Sequence, residues 1–444
     1  MTFVTERELV SPPTATPDVA SGCHRVLHVS ACDDFGGSGK AAYRIHQGLK
    51  RLGWHSQMLV TRQVTNDPDV APIWRTTSGR LMDRCCGLIT GWFGLQDVFY
   101  PSSFRLPTHP WFQDAEVVTL YNIHGGCFGY LALRRLSALR PVVWRLSDMW
   151  AFTGHCAYSY TCDRWKTGCG SCPFLSEPPA LRRDTTALLW RIKQHAYRHC
   201  RVTLVVPSGW MAERVKQSPL LQQFTLRIIP NGVDLHTFRP LDKAVARQRL
   251  QLSPQTRVLL FSAHAIDEPR KGLALLRRSL EILQERGFHD PVTVLVVGAG
   301  TMPWQQVGSF RVSQLGFVGD DPTLALAYGA ADAFVLPTVA DNLPNSLIES
   351  LACAVPVVTC NVGGCGEVIR HLETGYLAAA QDPADLAQGI QLLLQNNEQR
   401  QRMATRCREV AEGAYGLELQ ARRYAELYRD CVARWIAGPA KNGH

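Results

Sequence analysis

Asp341 and Glu349 are two carboxylates eight residues apart within LPTVADNLPNSLIESLACAVPVVTCNVGGCGE, Leu336 to Glu367. A helix start lies between them. Pro344 cannot donate a backbone hydrogen bond, and Asn345 or Ser346 can cap free amides, so the spacing predicts a helix from about Asn345 to Ala354. Such a helix turns its first amides and positive dipole end toward an anion, while Leu347, Ile348 and Leu351 face inward. That is a phosphate seat. Glu349, one turn further in, could accept hydrogen bonds from ribose hydroxyls, and Asp341, on the preceding loop, could hold a sugar hydroxyl. Taken alone, the pair could equally be a loop-to-helix junction that caps itself.

Other segments could supply the charge and backbone that such a ligand needs. SAHAIDEPRKGL puts Arg270 and Lys271 after a strand, where two cations can neutralise a departing diphosphate or simply form a solvated basic turn. Gly36, Gly37, Ser38 and Gly39 follow the first strand and open a helix, the place where backbone amides meet phosphate. GGSGKAAY is neither a Walker loop nor a GxGxxG turn. His124, in NIHGG, and Asp148, in LSDMWAFTGHC, each follow a strand and could face a cleft; single residues at such places are often structural. Phe317 to Gly319, including Val318, form a strand-end turn, and GGCGE (Gly363 to Glu367) forms another.

Cys156, Cys162, Cys169 and Cys172 are four thiols within seventeen residues, ending in C-x2-C among glycines. They could wrap one structural zinc, with His155 as an alternate ligand, or form disulfides, or remain free core thiols. Four protein ligands would leave no open position for catalysis.

These residues need a scaffold, and the strand and helix pattern supplies one. His24 to Val60 reads strand, Gly-rich turn, helix, strand, the opening of a parallel sheet. Further strands fall near Val117 to Tyr121, Pro141 to Leu146 and Thr203 to Pro207, and Arg227 to Pro240 closes this half with a turn. A second series runs through RVLLFSAHA, VTVLVVGAG, SQLGFVG, ADAFVLP and PVVT. The expected fold is α/β, two doubly wound halves with ligands at the carboxyl ends of the strands. Residues 1–22 read as a disordered tail, 23–240 as the first domain with an insertion at 155–173, 241–414 as the second, and 415–437 as a helix crossing back to the first.

The chain has 444 residues, enough for two cores, and 46% hydrophobic residues, as expected of a globular protein. A formal charge of +9 argues against a nucleic-acid binder but permits attraction to phosphates or an anionic membrane face. No apolar run approaches a membrane span, and the start lacks a secretory signal pattern. Fifteen scattered cysteines fit a reducing compartment, so a cytoplasmic setting is expected, with peripheral membrane contact allowed. Trp190 to Arg201, WRIKQHAYRHCR, is a basic helical stretch whose Trp190, Ile192 and Tyr197 could meet anionic lipid, or whose charges could form a solvated face.

The acidic pair, with its Asp-Asn-Leu-Pro-Asn loop, resembles the acidic-x7-acidic signature of retaining glycosyltransferases of family 4, and the cysteine stretch resembles a colanic-acid-type exopolysaccharide subgroup. The resemblance covers nearly all of residues 24 to 435. It implies two facing Rossmann-like domains, the GT-B arrangement, and no catalytic metal. It implies a nucleotide diphosphate sugar donor and a glycan or lipid-linked acceptor. Donor contacts would come from Gly36, Gly37, Arg270, Lys271, Val318, Gly319, Asp341, Asn342, Leu343, Pro344, Asn345 and Glu349. His124 and Asp148 would stand near the transferred sugar, and the GGCGE glycines would let backbone approach the donor. The family's usual first acid is Glu, here Asp341. An Arg common after the first strand of the second half is absent, Ser262 and Ala263 standing near its place, with Arg270 as substitute. Ser147 replaces a family His. An epimerase or phosphorylase of the same fold, or a non-catalytic nucleotide-binding scaffold, are the alternative readings.

Overall fold

The computed structural model describes residues 24–438, so the tail expected at 1–22 lies outside the described residues. The first sheet contains β1 (Arg25–Cys32), β2 (His55–Arg62), β3 (Val70–Pro72), β4 (Val117–Leu120), β5 (Val142–Arg145), β6 (Val202–Val206) and β7 (Thr225–Ile228). Its order is β3-β2-β1-β4-β5-β6-β7, every neighbouring pair parallel. The second contains β8 (Arg257–Ala265), β9 (Val292–Ala299), β10 (Gln306–Val307), β11 (Phe310–Gly316), β12 (Ala333–Leu336), β13 (Val357–Cys360) and β14 (Gly375–Ala378). Its order is β10-β11-β9-β8-β12-β13-β14, parallel except for β10 with β11.

The continuous apolar runs explain this architecture. VVTL, VVWR, AFVL and VVTC are buried at every position, as strands covered by helices on both faces must be. In each sheet the order reverses once, between β1 and β4 and between β8 and β12, and ligands of such folds lie beyond the carboxyl ends of the strands at that switch. The Gly36 loop follows β1, His124 follows β4, Arg270 and Lys271 follow β8, and Asp341 follows β12. The topology thus gathers residues from four distant segments.

The helix Leu417–Ile436 lies on the first sheet and on α1 (Gly36–Arg51). Tyr424, Leu427 and Tyr428 share an apolar cluster with Val26, Ile45 and Leu49, and Thr119 donates to the Tyr428 hydroxyl at 2.7 Å.

Two local expectations are corrected. The helix after Pro344 spans Asn345–Ala352, with Pro344 itself at the N-cap and no side-chain cap, so neither Asn345 nor Ser346 caps it. It ends before Ala354 because that residue takes a left-handed φ of 57° and its amide, with that of Val355, closes back on Leu351 and Ser350. The stretch read as a closing turn begins inside β7.

Candidate active site

Close approach of backbone brings the cations to Asp341. Gly272 has φ 76°, and a Cβ there would fall 1.8 Å from the Pro337 carbonyl oxygen, so the loop after β8 presses on the loop after β12. Lys271 Nζ reaches Asp341 Oδ2 at 2.6 Å and an Arg270 terminal nitrogen reaches the same oxygen at 3.0 Å. Arg270 also donates to the Ala340 carbonyl at 2.9 Å and lies over the Tyr158 ring, whose hydroxyl donates to Asp341 Oδ1 at 3.4 Å. Burial pushes the Asp341 carboxyl up, but Lys271 and Arg270 outweigh it and hold the pKa below the ordinary carboxylate value. Glu268 accepts from Arg270 Nε at 2.8 Å, so the two cations are matched by two carboxylates, Asp341 and Glu268.

Behind this loop, a Cβ at Gly363 would fall 1.6 Å from the Asp341 carbonyl oxygen, and the Gly364 amide donates to the Asn342 carbonyl at 2.7 Å. The GGCGE glycines therefore let backbone approach the Asp341–Asn342 loop itself. Glu367 of the same turn accepts the Gly209 and Trp210 amides at 2.7 and 2.6 Å, at the start of a first-domain helix, Gly209–Gln217.

The Asp-Asn-Leu-Pro-Asn loop ties the domains together. Ser208 donates to Asn342 Oδ1 at 2.6 Å, and Asn342 Nδ2 donates to the Ser147 carbonyl at 3.0 Å. Asn231 donates to the Leu343 carbonyl at 2.9 Å and to Asn345 Oδ1 at 2.8 Å, while Asn345 Nδ2 donates to the Gly37 carbonyl at 3.0 Å.

Glu349 is buried in the helix Asn345–Ala352, and its first partner comes from the opposite domain. An Arg44 nitrogen donates to Oε1 at 2.8 Å, and the Tyr328 hydroxyl donates to Oε2 at 3.3 Å. Arg44 also reaches Asp321 at 3.2 Å, and Lys40 reaches Asp321 at 2.5 Å. Burial pulls the Arg44 pKa down, but Glu349 and Asp321 outweigh it and the net shift is upward. Arg44 Nε is buried without a hydrogen-bond partner. The sequence reading passed over Lys40, Arg44 and Asp321. The available signal was spacing: Lys40 and Arg44 stand four apart on the helix opened by the Gly36 loop, hence on one face.

On the first-domain side, Gly36 has φ 66°, and a Cβ at Gly36 or Gly37 would meet nothing within 4 Å, whereas one at Gly39 would strike the Asp33 carbonyl at 2.3 Å. The first turn of α1 is thus open, and no side chain caps it. His124 and Asp148, read separately in the sequence, form a pair, Nε2 to Oδ2 at 2.8 Å. Asn122 donates to the same carboxylate at 2.9 Å, the Trp150 amide to its other oxygen at 3.0 Å, and Asp97 fixes the loop by accepting the Gly125 and Gly126 amides.

Burial would lower the His124 pKa, but Asp148 outweighs it and the shift is upward from 6.5; burial would raise the Asp148 pKa, but His124 outweighs it and the shift is downward from 3.8. The His124 contribution to stability is full below pH 6.5 and fades as pH rises through the elevated folded value; that of Asp148 is full above pH 3.8 and fades as pH falls through the depressed one. The pair therefore stabilises the fold most between those two values. In Asp148→Asn, the His124 titration midpoint is expected to fall, read from imidazole proton shifts.

Val318 and Gly319 follow β11 beside an aromatic group: Phe317 lies 5.4 Å from His264, and His264 lies 4.5 Å from Phe35 of the first domain.

Cys156, Cys162, Cys169 and Cys172 line one small pocket together with His155 and Trp165. The Gly154 amide donates to Cys169 Sγ at 3.2 Å, and His155 Nε2 lies 3.4 Å from Cys172 Sγ. Among the described residues, no three His, Cys, Asp or Glu side chains are grouped so that they could hold a metal ion. All the described cysteines are free, so a disulfide reading of the cluster does not hold.

The helix Thr186–Tyr197 corrects another expectation: Trp190 and Tyr197 are buried, and Ile192 packs against the core, so none forms a lipid-facing surface. Lys193, also buried, donates to the Trp150 and Thr153 carbonyls at 2.6 and 3.0 Å, and burial brings its pKa down to about 7.

Residues 256–396 match the family model described as glycosyl transferases group 1. The chain is 29% identical over 238 residues to a putative colanic acid biosynthesis glycosyl transferase, WcaC, of Escherichia coli K12, covering 52% of this chain and 54% of that protein. It thus spans about half the length of the curated relatives it matches. Sucrose-phosphate synthase of Thermosynechococcus elongatus superposes with a TM-score of 0.65 at 18% identity, covering 92% of this chain and 100% of the other. Anabaena HepE in complex with UDP-glucose superposes with a TM-score of 0.61 at 16% identity, covering 92% and 100%. These likenesses show the fold, two doubly wound α/β domains in the GT-B arrangement.

Proposed function

We propose that the chain is a retaining glycosyltransferase that moves a sugar from a nucleoside diphosphate sugar to a glycan or lipid-linked acceptor in exopolysaccharide, capsule or lipopolysaccharide assembly. One observation carries the reading. The stretch that matches the glycosyl transferases group 1 model contains Arg270, Lys271, Val318, Gly319, Asp341 to Asn345 and Glu349, the whole donor side expected in the second domain. The colanic-acid relative and the UDP-glucose bound to Anabaena HepE support the pathway and donor class.

In this reading, Lys271, Arg270 and the uncapped first turn of the helix Asn345–Ala352 hold the diphosphate and stabilise its charge as the bond to the sugar breaks. Asp341 orients the sugar and keeps the two cations in place. A carboxylate has about four acceptor positions, and Glu349 gives one each to Arg44 and Tyr328, leaving capacity for ribose hydroxyls. Gly36 and Gly37 offer amides from the facing domain, and His124, positioned by Asp148, contacts the transferred sugar. No catalytic metal takes part. Retention without an enzymic nucleophile means front-face attack, the leaving phosphate taking the acceptor proton. No described helix is long and apolar enough to cross a membrane, and the proposed setting is the cytoplasm.

A structural zinc on the four clustered thiols is a separate proposal, supported by their shared pocket and opposed by the lack of metal-ready grouping. Elemental analysis decides it: one zinc per chain supports it, and well under one removes it.

The nucleotide reading is tested by thermal stabilisation with UDP, GDP, ADP and their sugars, since a ligand that binds the native state raises its apparent stability. A shift selective for one base, lost in Glu349→Ala and Lys271→Ala, is expected. No shift with any nucleotide in folded protein would contradict a donor site formed in the absence of acceptor.

A further inference from the structure

We infer that α2 (Thr77–Trp92) docks the protein on an anionic membrane surface. The helix is turned opposite to an ordinary surface helix. Its inward face carries Asp83 and Gly87: the Asp83 carboxylate accepts from Trp74 Nε1 at 2.6 Å and the Ser102 amide at 3.0 Å, and a Cβ at Gly87 would already lie 3.0 Å from the Tyr100 ring. Its outward face carries Leu81, Leu88, Ile89 and Trp92, at i, i+7, i+8 and i+11, followed by Phe93; all five are between 59 and 76% exposed. Apolar side chains gathered on one exposed helix face mark an interaction surface, whereas scattered ones do not.

The charges around the ridge identify the partner. Arg75, Arg80 and Arg84 are exposed, and the one acid of the helix, Asp83, is buried. At the far end, Thr185 donates to the Gly94 carbonyl at 2.6 Å, which joins the chain just past the ridge to the segment that carries the exposed Arg182 and Arg183. The neighbouring Asp184 uses its carboxylate on the Cys172 amide and on Thr186. An apolar stripe with Trp and Arg along its border matches the boundary between lipid chains and anionic headgroups, where apolar burial and charge attraction add. A second copy on this face would find no acid of the helix to pair with its arginines, because Asp83 is engaged inward by Trp74 and Ser102, which disfavours self-association. The inference does not depend on the donor reading, because it concerns a different face and needs no nucleotide.

The test is flotation of the full chain with vesicles of phosphatidylcholine, with and without phosphatidylglycerol, beside sedimentation without lipid. Wild type is expected to float with the anionic vesicles. The double variant Leu88→Ser/Trp92→Ser is expected to lose vesicle partition by about tenfold or more, from the apolar area removed. Arg80→Glu/Arg84→Glu is expected to lose the preference for anionic lipid. Both should keep the wild-type melting temperature and nucleotide-induced stabilisation, which separates this inference from the donor reading. Wild type that stays at the bottom with anionic vesicles overturns it, as does equal flotation of the serine variant. A wild-type dimer that the serine variant makes monomeric, with no flotation, would instead make this face an interface between copies.

Discussion

Lys271→Ala is expected to lower kcat for sugar transfer by about 100- to 1,000-fold, the scale of losing one preorganised charge partner for a developing anion. The ammonium lies 2.6 Å from Asp341, in the loop that follows β8. A second cation limits the structural damage. Arg270, 3.0 Å from the same oxygen, keeps Asp341 paired, so the variant should fold and melt close to wild type. The expected signature is a fall in kcat larger than any rise in KM, because the leaving diphosphate carries more negative charge in the transition state than in the bound donor. Steady-state kinetics beside a melting curve check both halves; unchanged kcat would remove Lys271 from the reaction.

Arg44→Ala is expected to cost about 3–5 kcal/mol of stability, the scale of removing one partner from a buried ion pair. The guanidinium is buried between Glu349 and Asp321, both on the domain opposite its own helix. Without it, Asp321 keeps Lys40, but Glu349 retains only the Tyr328 hydroxyl and is an uncompensated buried charge. The double variant Arg44→Ala/Glu349→Gln should recover much of the loss, since neutralising the acid removes that penalty. Chemical denaturation of the four proteins of this cycle measures the coupling. Independent, additive losses would show that the pair does not join the domains energetically.

Much of this architecture was legible in the sequence because parallel strands buried on both faces read as continuous apolar runs; VVTL, VVWR and AFVL reveal themselves without structure. The acidic pair and the cations stood at predictable strand ends for the same reason. What the sequence hid was long-range pairing. Nothing local says that Arg44 spans to Glu349, 305 residues away, or that His124 meets Asp148. Side-chain direction was hidden too. Trp190 and Tyr197, on a basic helix, turn inward because the core is there, while the apolar side of α2 turns outward because Asp83 is held inside by Trp74 and Ser102. Periodicity gives the stripe of a helix, not which side meets the protein. The short edge strands β3 and β10, of three and two residues, are too brief to leave a pattern.

In the proposed function, the cleft between the two sheets uses a nucleoside diphosphate sugar as glycosyl donor. The most direct measurement is release of nucleoside diphosphate from the donor that stabilises the protein, followed by chromatography with and without a bacterial lipid extract as acceptor source. Release is expected to rise with the extract and nearly to disappear in Lys271→Ala. Folded wild-type protein that binds the donor yet releases no diphosphate under either condition would contradict it, leaving a nucleotide-binding scaffold with the fold of a transferase.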